Sequence, residues 1–180
     1  MIPIKPHAYA ELPQDFYNLQ NWQGFDNPLL VIENAKLKQE LGLENIEKQK
    51  LLGIFNGSFS IKNLKPLSMV YSGHQFGQYV EQLGDGRGLL LGKVDSSEGL
   101  VDIHLKGAGK TPYSRFGDGR AVLRSVIREY LCGEAMHALS IPTSRALMII
   151  GSDEMVIREK SEKAAMLART AKTHIRFGNF

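Results

Sequence analysis

The sequence has few of the features that mark a membrane, secreted or metal-binding protein. Its single cysteine, Cys132, cannot form an internal disulfide and cannot by itself make a zinc site. No apolar run approaches the roughly 18–20 residues that a membrane-spanning helix requires. The first seven residues lack the apolar segment of a secretory signal peptide. We therefore expect a protein of the reducing cytoplasm with no membrane partner.

Net charge is also small, although the basic residues are unevenly placed. There are 22 Lys and Arg residues against 19 Asp and Glu residues, which gives a net charge of +3. Between Lys106 and Arg128, however, six basic residues are opposed only by Asp118. A local cationic field in a nearly neutral chain favours a compact polyanion, such as nucleotide phosphates, over a nucleic acid. A solvated basic face is the alternative that charge alone leaves open.

Length and composition predict one globular unit with an appendage. The chain has 180 residues, of which 43% are apolar. We predict an N-terminal arm with short helices over residues 1–65 and a body over 66–180. Residues 1–28 are rich in Pro, Asn, Gln and aromatic residues, which predicts an irregular arm held to the body by Phe16, Tyr17, Trp22 and Phe25.

Hydrophobic spacing then predicts the order of elements. We predict helices over 35–41 and 44–55, strands over 79–83, 89–94 and 101–106, a helix over 119–139, a hairpin of strands over 146–150 and 154–158, and a strand over 164–170. Asp118 is the predicted N-cap of the long helix, and 151–153 is the predicted hairpin turn. This order predicts the α+β class, with one long helix packed on a mainly antiparallel sheet.

The tetrapeptide Gly-Asp-Gly-Arg occurs twice, at 84–87 and at 117–120. Glycine lets backbone amides approach phosphate oxygens, and an arginine adds a bidentate contact. The first copy lies between two strands, where a tight hairpin without a ligand is the alternative. The second lies at the predicted start of the long helix, where free amides attract anions, and Arg120, Arg124 and Arg128 follow at four-residue spacing. There the alternative is a capped helix with a solvated arginine stripe.

Two further patterns bear on chemistry. Lys106 ends a strand and Glu129 lies within the following helix, as in kinases, where such a pair lets the lysine bind nucleotide phosphates. An ordinary surface lysine with a border glutamate is the alternative. The run Gly107 to Thr111 lacks the upstream glycine of a P-loop, and we reject that motif. Cys132, His104 and His137 form no convincing catalytic triad or metal set.

Several ordered segments together resemble the selenoprotein O family of pseudokinase-fold protein adenylyltransferases. They are residues 72–77, 82–87, 104–109, 111–120 and 175–178, and the similarity is dense from about Pro66 to Phe180. The resemblance implies a fold like the small lobe of a protein kinase. It also implies transfer of AMP from ATP, with Mg²⁺ or Mn²⁺, to Ser, Thr or Tyr hydroxyls of proteins. UTP as the donor and a non-catalytic nucleotide-binding or scaffolding module are the alternatives.

The resemblance also assigns site residues. By motif, the nucleotide contacts fall on Gly84, Gly86, Arg87, Lys106, Asp118, Gly119, Arg169 and Arg176. Glu129 is the structural partner of Lys106. Relatives continue into a second lobe with the catalytic base and the metal ligands, so we expect those residues beyond Phe180 and none within this chain. Without that lobe, the helix over 122–139 and the segment after Ala164 are expected to expose an apolar seam through which the chain self-associates.

Overall fold

The computed structural model describes residues 2–180, in which nine strands form one sheet with antiparallel pairing throughout. The strands are β1 (Tyr17–Leu19), β2 (Leu29–Glu33), β3 (Leu67–Gln75), β4 (Gln78–Gly84), β5 (Gly88–Ser96), β6 (Gly99–Lys106), β7 (Ala121–Val122), β8 (Arg145–Ile157) and β9 (Ser161–Ala171). Their order is β1-β3-β5-β6-β9-β8-β2, with β4 paired to β3 and β7 paired to β9. The predicted α+β class and mainly antiparallel sheet are confirmed.

Within residues 2–180, three α-helices accompany the sheet: α1 (Ala35–Glu40), α2 (Lys48–Asn56) and α3 (Leu123–Ala138). Three short 3₁₀ turns lie at Ala8–Glu11, Gln14–Phe16 and Phe177–Asn179. The side chain of Asn34 accepts a hydrogen bond from the amide of Leu37 and so caps α1. Gly57 ends α2 with a φ of +84°, a left-handed conformation that suits glycine. The predicted helices in this part of the chain are therefore confirmed.

The long helix begins later than predicted. Val122 is its N-cap residue and also a strand residue, because β7 pairs with Ala164 and Ala165 of β9 before the helix starts. Asp118 is therefore not the cap, and the prediction was wrong. The carboxylate of Asp118 instead forms a two-hydrogen-bond pair with Arg158. The helix packs on the sheet through buried Val126, which contacts the cluster around Ile149.

The predicted hairpin over 146–158 is also wrong. β8 runs without interruption from Arg145 to Ile157 and pairs with β9 along its length. Residues 151–153, which were expected to form the hairpin turn, instead lie in a bulge of β8, because the register with β9 shifts between Gly151 and Met155. The chain reverses after β8 instead, where the amide of Arg158 donates to the carbonyl of Lys160 at 2.9 Å. The last predicted strand, over 164–170, is confirmed within β9.

The N-terminal arm contributes two strands to the sheet and part of its core. β1 pairs with β3, and β2 pairs with β8. Tyr17 and Phe25 are buried as predicted and Trp22 packs partly buried against the core, whereas Phe16 is 39% exposed. The division after residue 65 stays a prediction. Within residues 2–180, no helix is both long enough and apolar enough to cross a membrane.

Candidate functional site

A cleft of about 1020 Å³ opens beside the sheet. Its walls are the β3–β4 hairpin, the β4–β5 turn, the loop over 112–120, and the cleft-facing side chains of β6 and β9. It is lined by all eight residues that the resemblance assigned to the nucleotide: Gly84, Gly86, Arg87, Lys106, Asp118, Gly119, Arg169 and Arg176. The fold thus brings together residues separated by up to 92 positions, counted from 84 to 176. That each contacts a nucleotide stays a prediction.

Lys106 and Glu129 form the predicted ion pair between β6 and α3. The Nζ of Lys106 donates to one oxygen of Glu129, and the Nη1 of Arg169 donates to the other at 2.9 Å. Burial lowers the pKa of Lys106, against the opposing effect of Glu129. Burial alone raises the pKa of Glu129, but the hydrogen bond from Lys106 and the charge of Arg169 bring it below its usual value. Glu129 therefore stays ionised between two cations.

Arg176 approaches the same cleft from the segment after β9. Its guanidinium lies over the ring of Tyr71, 4.5 Å from the centroid, and its Nη2 lies 3.2 Å from an oxygen of Asp85. Asp85 is buried and also accepts a hydrogen bond from the amide of Met69. Sequence reasoning missed Asp85, although it is the acidic residue of the first Gly-Asp-Gly-Arg. Its carboxylate therefore pairs with an arginine of the cleft.

The glycines of the first Gly-Asp-Gly-Arg turn allow another loop to pack against it. A Cβ on Gly84 would lie 2.3 Å from Cγ of Tyr113, and one on Gly86 would lie 2.7 Å from the carbonyl oxygen of Tyr113. The hydroxyls of Thr111 and Ser114 donate to the carbonyls of Asp85 and Gly86 at 2.8 and 2.6 Å. The turn and the loop over 111–114 therefore form one interlocked wall of the cleft.

The second Gly-Asp-Gly-Arg turn is held in a comparable way. Gly119 has a φ of +74°, and a Cβ there would lie 2.1 Å from the backbone of Gly109. Asp118 is ionised in its pair with Arg158, whose hydrogen bonds lower the pKa of that carboxyl. Asp118 also accepts from the amide of Arg120 at 2.8 Å.

The predicted arginine stripe at the start of the long helix is wrong. Arg120 precedes α3, so it cannot share a helix face with Arg124 and Arg128. Its guanidinium binds the carboxylate of Glu154 through two hydrogen bonds of 2.9 Å and also donates to backbone carbonyls of the arm. Although Arg120 lines the cleft, these protein contacts occupy its donors. Arg124 pairs with Glu162 at 2.6 Å.

Large apolar side chains are exposed in both segments where the seam was predicted. Ile127 and Leu131 are exposed on α3, and Leu139 is exposed at its end. After β9, Phe177 and Phe180 are almost fully exposed. Self-association through these residues stays a prediction. Within residues 2–180, no group of three or more His, Cys, Asp or Glu side chains is placed to hold a metal ion.

Comparisons with a family model and with curated proteins agree with each other. The family model for "Protein adenylyltransferase SelO" matches residues 5–180. Three similar curated proteins are all named "Protein nucleotidyltransferase YdiU": one from Vibrio parahaemolyticus is 54% identical over 175 residues, one from Enterobacter sp. (strain 638) is 52% identical over 177, and one from Thioalkalivibrio sulfidiphilus is 49% identical over 177. Each alignment covers 97% of this chain. The chain spans only 36–37% of the length of these relatives.

Proposed function

The chain belongs to the SelO family, and from this we propose that it is the nucleotide-binding part of a protein adenylyltransferase. The observation that carries the proposal is the convergence of all eight assigned residues on one cleft. If the cleft were only a basic surface without a ligand, there would be no reason for arginines and a lysine from four parts of the chain to meet in it. Such a surface also does not require a partly buried carboxylate to hold them, as Glu129, which is 25% exposed, holds Lys106 and Arg169.

The proposed donor is ATP. The transferred group is AMP: a protein hydroxyl oxygen bonds to the α-phosphorus, the bond to the bridging oxygen of the β-phosphate breaks, and pyrophosphate leaves. Arg87, Lys106, Arg169 and Arg176 would neutralise the triphosphate and the charge that grows on the leaving pyrophosphate. The resemblance also implies that the nucleotide is reversed relative to its orientation in an ordinary protein kinase, so that the γ-phosphate would point inward and the α-phosphorus would face the acceptor.

The proposal divides the chemistry between this chain and the rest of the longer relatives. Mg²⁺ or Mn²⁺ would supply further positive charge against the phosphates, but within residues 2–180 no group of three or more His, Cys, Asp or Glu side chains is placed to hold it, so we assign it no ligand here. The hydroxyl proton would pass to a base outside this chain. The partners would be cytoplasmic proteins that carry Ser, Thr or Tyr hydroxyls. UTP is the second candidate donor, because the contacts that the resemblance assigns would be to phosphates, and none of them is assigned to a base.

Mass spectrometry tests the proposal. The full-length Vibrio parahaemolyticus relative and this chain would each be incubated with ATP or UTP and Mg²⁺, and the proteins searched for nucleotide adducts on hydroxyls. We expect AMP adducts from the full-length relative and little labelling by this chain alone. The matched control is the full-length relative carrying alanine at the position that aligns with Lys106. A relative that binds ATP but produces no adduct from either nucleotide would favour the non-catalytic module instead.

A further inference from the structure

A buried histidine outside the assigned nucleotide contacts lies at the floor of the cleft. His104 is only 1% exposed, and it lies two residues from Lys106 on the same face of β6. We propose that His104 is a positioning residue: its neutral imidazole orients Arg169 directly and Arg176 through Asp85, so that both guanidinium groups face nucleotide phosphates. This inference rests on the proposed function.

The first contact fixes the tautomer of the ring. His104 and Arg169 are opposite each other in the register of β6 and β9, and the Nε of Arg169 lies 3.3 Å from Nδ1 of His104. An arginine nitrogen can only donate, so Nδ1 must accept and the ring proton must lie on Nε2. The Nη1 of Arg169 is bound to Glu129, and its Nη2 makes no hydrogen bond within residues 2–180. Arg169 is thus held by two of its nitrogens, with the third left for a ligand.

The second contact links His104 to the other arginine. The Nε2 of His104 lies 3.5 Å from an oxygen of Asp85, an electrostatic contact without hydrogen-bond geometry, and the other oxygen of Asp85 pairs with Arg176 at 3.2 Å. Burial, opposed by His104, Arg176 and the amide of Met69, leaves the pKa of Asp85 below its usual value. Asp85 is therefore an anion that faces an N–H on one side and a guanidinium on the other.

The histidine is also kept neutral and immobile. Burial, with the charge of Arg169 adding to it, lowers the pKa of His104 to about 3. Its ring stacks on His174 with centroids 4.8 Å apart, and a Cβ on Gly88 would lie 2.5 Å from its Cε1. A protonated ring would lose the acceptor for Arg169 and add a cation beside it. An apolar side chain could fill the space that the His104 ring occupies. What histidine adds at this position is therefore its two polar ring nitrogens.

Binding measurements on three variants of the 180-residue chain test the inference. His104→Asn keeps an acceptor near the position of Nδ1, His104→Gln keeps a donor near Nε2, and His104→Phe keeps only the ring. Calorimetry would measure the affinity for ATP and for inorganic tripolyphosphate, with thermal unfolding measured alongside. His137→Asn, on the exposed side of α3, is the control. We expect His104→Phe to weaken both affinities about tenfold or more, and His104→Asn to retain most of them.

The outcomes separate the inference from the proposed function. If the native chain binds ATP and a folded His104→Phe variant binds it equally well, the positioning role is overturned and the proposed function stands. If the native chain binds tripolyphosphate but not ATP, and His104→Phe weakens that binding, the positioning role stands and the proposed function fails. If the native chain binds neither, both fail. If His104→Phe does not fold, the inference still requires His104→Asn to bind more tightly than His104→Gln.

Discussion

Lys106 on β6 and Glu129 on α3 are joined by a hydrogen-bonded ion pair, and Arg169 on β9 binds the second oxygen of the same carboxylate. One glutamate therefore connects the long helix to two neighbouring strands of the sheet. Because both cations also line the cleft, the position of α3 and the charge of the cleft are linked. Lys106 is therefore the side chain whose substitution best distinguishes an effect on nucleotide binding from an effect on the stability of the fold.

Lys106→Ala should weaken ATP binding more than it weakens the fold. Glu129 keeps Arg169 as a partner, so the free energy of unfolding should fall by only about 1 kcal/mol. A lost charge-assisted phosphate contact is worth roughly 1.5–3 kcal/mol, which corresponds to at least about a tenfold loss of affinity. Calorimetry with ATP and urea unfolding measure the two effects.

Arg124→Ala is the matched control for that change. It removes the cation of another ion pair of α3, to Glu162 on β9, but Arg124 does not line the cleft. ATP affinity should be unchanged in this variant. Equal loss of affinity in both variants would mean that net charge, and not the position of Lys106, determines binding.

Arg120→Lys should reduce stability although it leaves the charge unchanged. The guanidinium of Arg120 makes a bidentate pair with Glu154 and lies 4.5 Å from the ring centroid of Phe25. An ammonium group cannot reproduce this geometry, and we expect a loss of about 2–3 kcal/mol in urea unfolding. Arg128→Lys, on the exposed face of α3, should change stability by less than about 0.5 kcal/mol. Similar effects of the two substitutions would contradict the structural role of Arg120.

Gly84→Ala should disturb the loop that packs on the first glycine turn. The new Cβ would lie 2.3 Å from the ring of Tyr113, so the ring must move, at a cost of about 1–3 kcal/mol. In a Tyr113→Ala background the same substitution should cost much less, because the obstructing ring is gone. Urea unfolding of both single variants and the double variant gives the coupling energy. Additive effects would show that Tyr113 is not the reason for glycine at position 84.

His104 should make the fold sensitive to acid. Its ordinary pKa of 6.5 falls to about 3 in the native state, so the unfolded chain binds a proton that the native chain does not between those values. Stability should therefore decrease as the pH falls below about 6.5, by up to about 1.4 kcal/mol per pH unit for this group. His104→Asn should lose less stability than the native chain between pH 7 and pH 5. Parallel pH profiles from urea unfolding would contradict the assignment.

Local sequence patterns predicted the elements better than their ends. An aspartate before an apolar run is typical of a helix N-cap, but the partner of Asp118 is Arg158, 40 positions away. Gly151 to Asp153 has turn composition, yet β9 supplies enough pairing for β8 to continue past it as a bulge. Both errors arise because a distant strand competes with a local signal, and sequence spacing does not show which one prevails.

The candidate site shows the same limit. The Lys106–Glu129 pair was predictable because Lys106 ends a strand and Glu129 lies within the helix that follows it, which is the arrangement found in kinases. His104 and Arg169 are 65 positions apart, and only the register of β6 against β9 places them opposite each other. The side-chain contacts that hold the phosphate-facing arginines therefore depend on strand register, which composition and periodicity do not determine.

A crystal structure of this chain with a non-hydrolysable ATP analogue would show directly whether the cleft binds the nucleotide. We expect the triphosphate to lie in the cleft with its oxygens on Lys106, Arg169 and Arg176, while Glu129 and Asp85 keep their present partners. A nucleotide bound elsewhere on the chain, with the cleft empty, would contradict the assignment of this cleft as the nucleotide site.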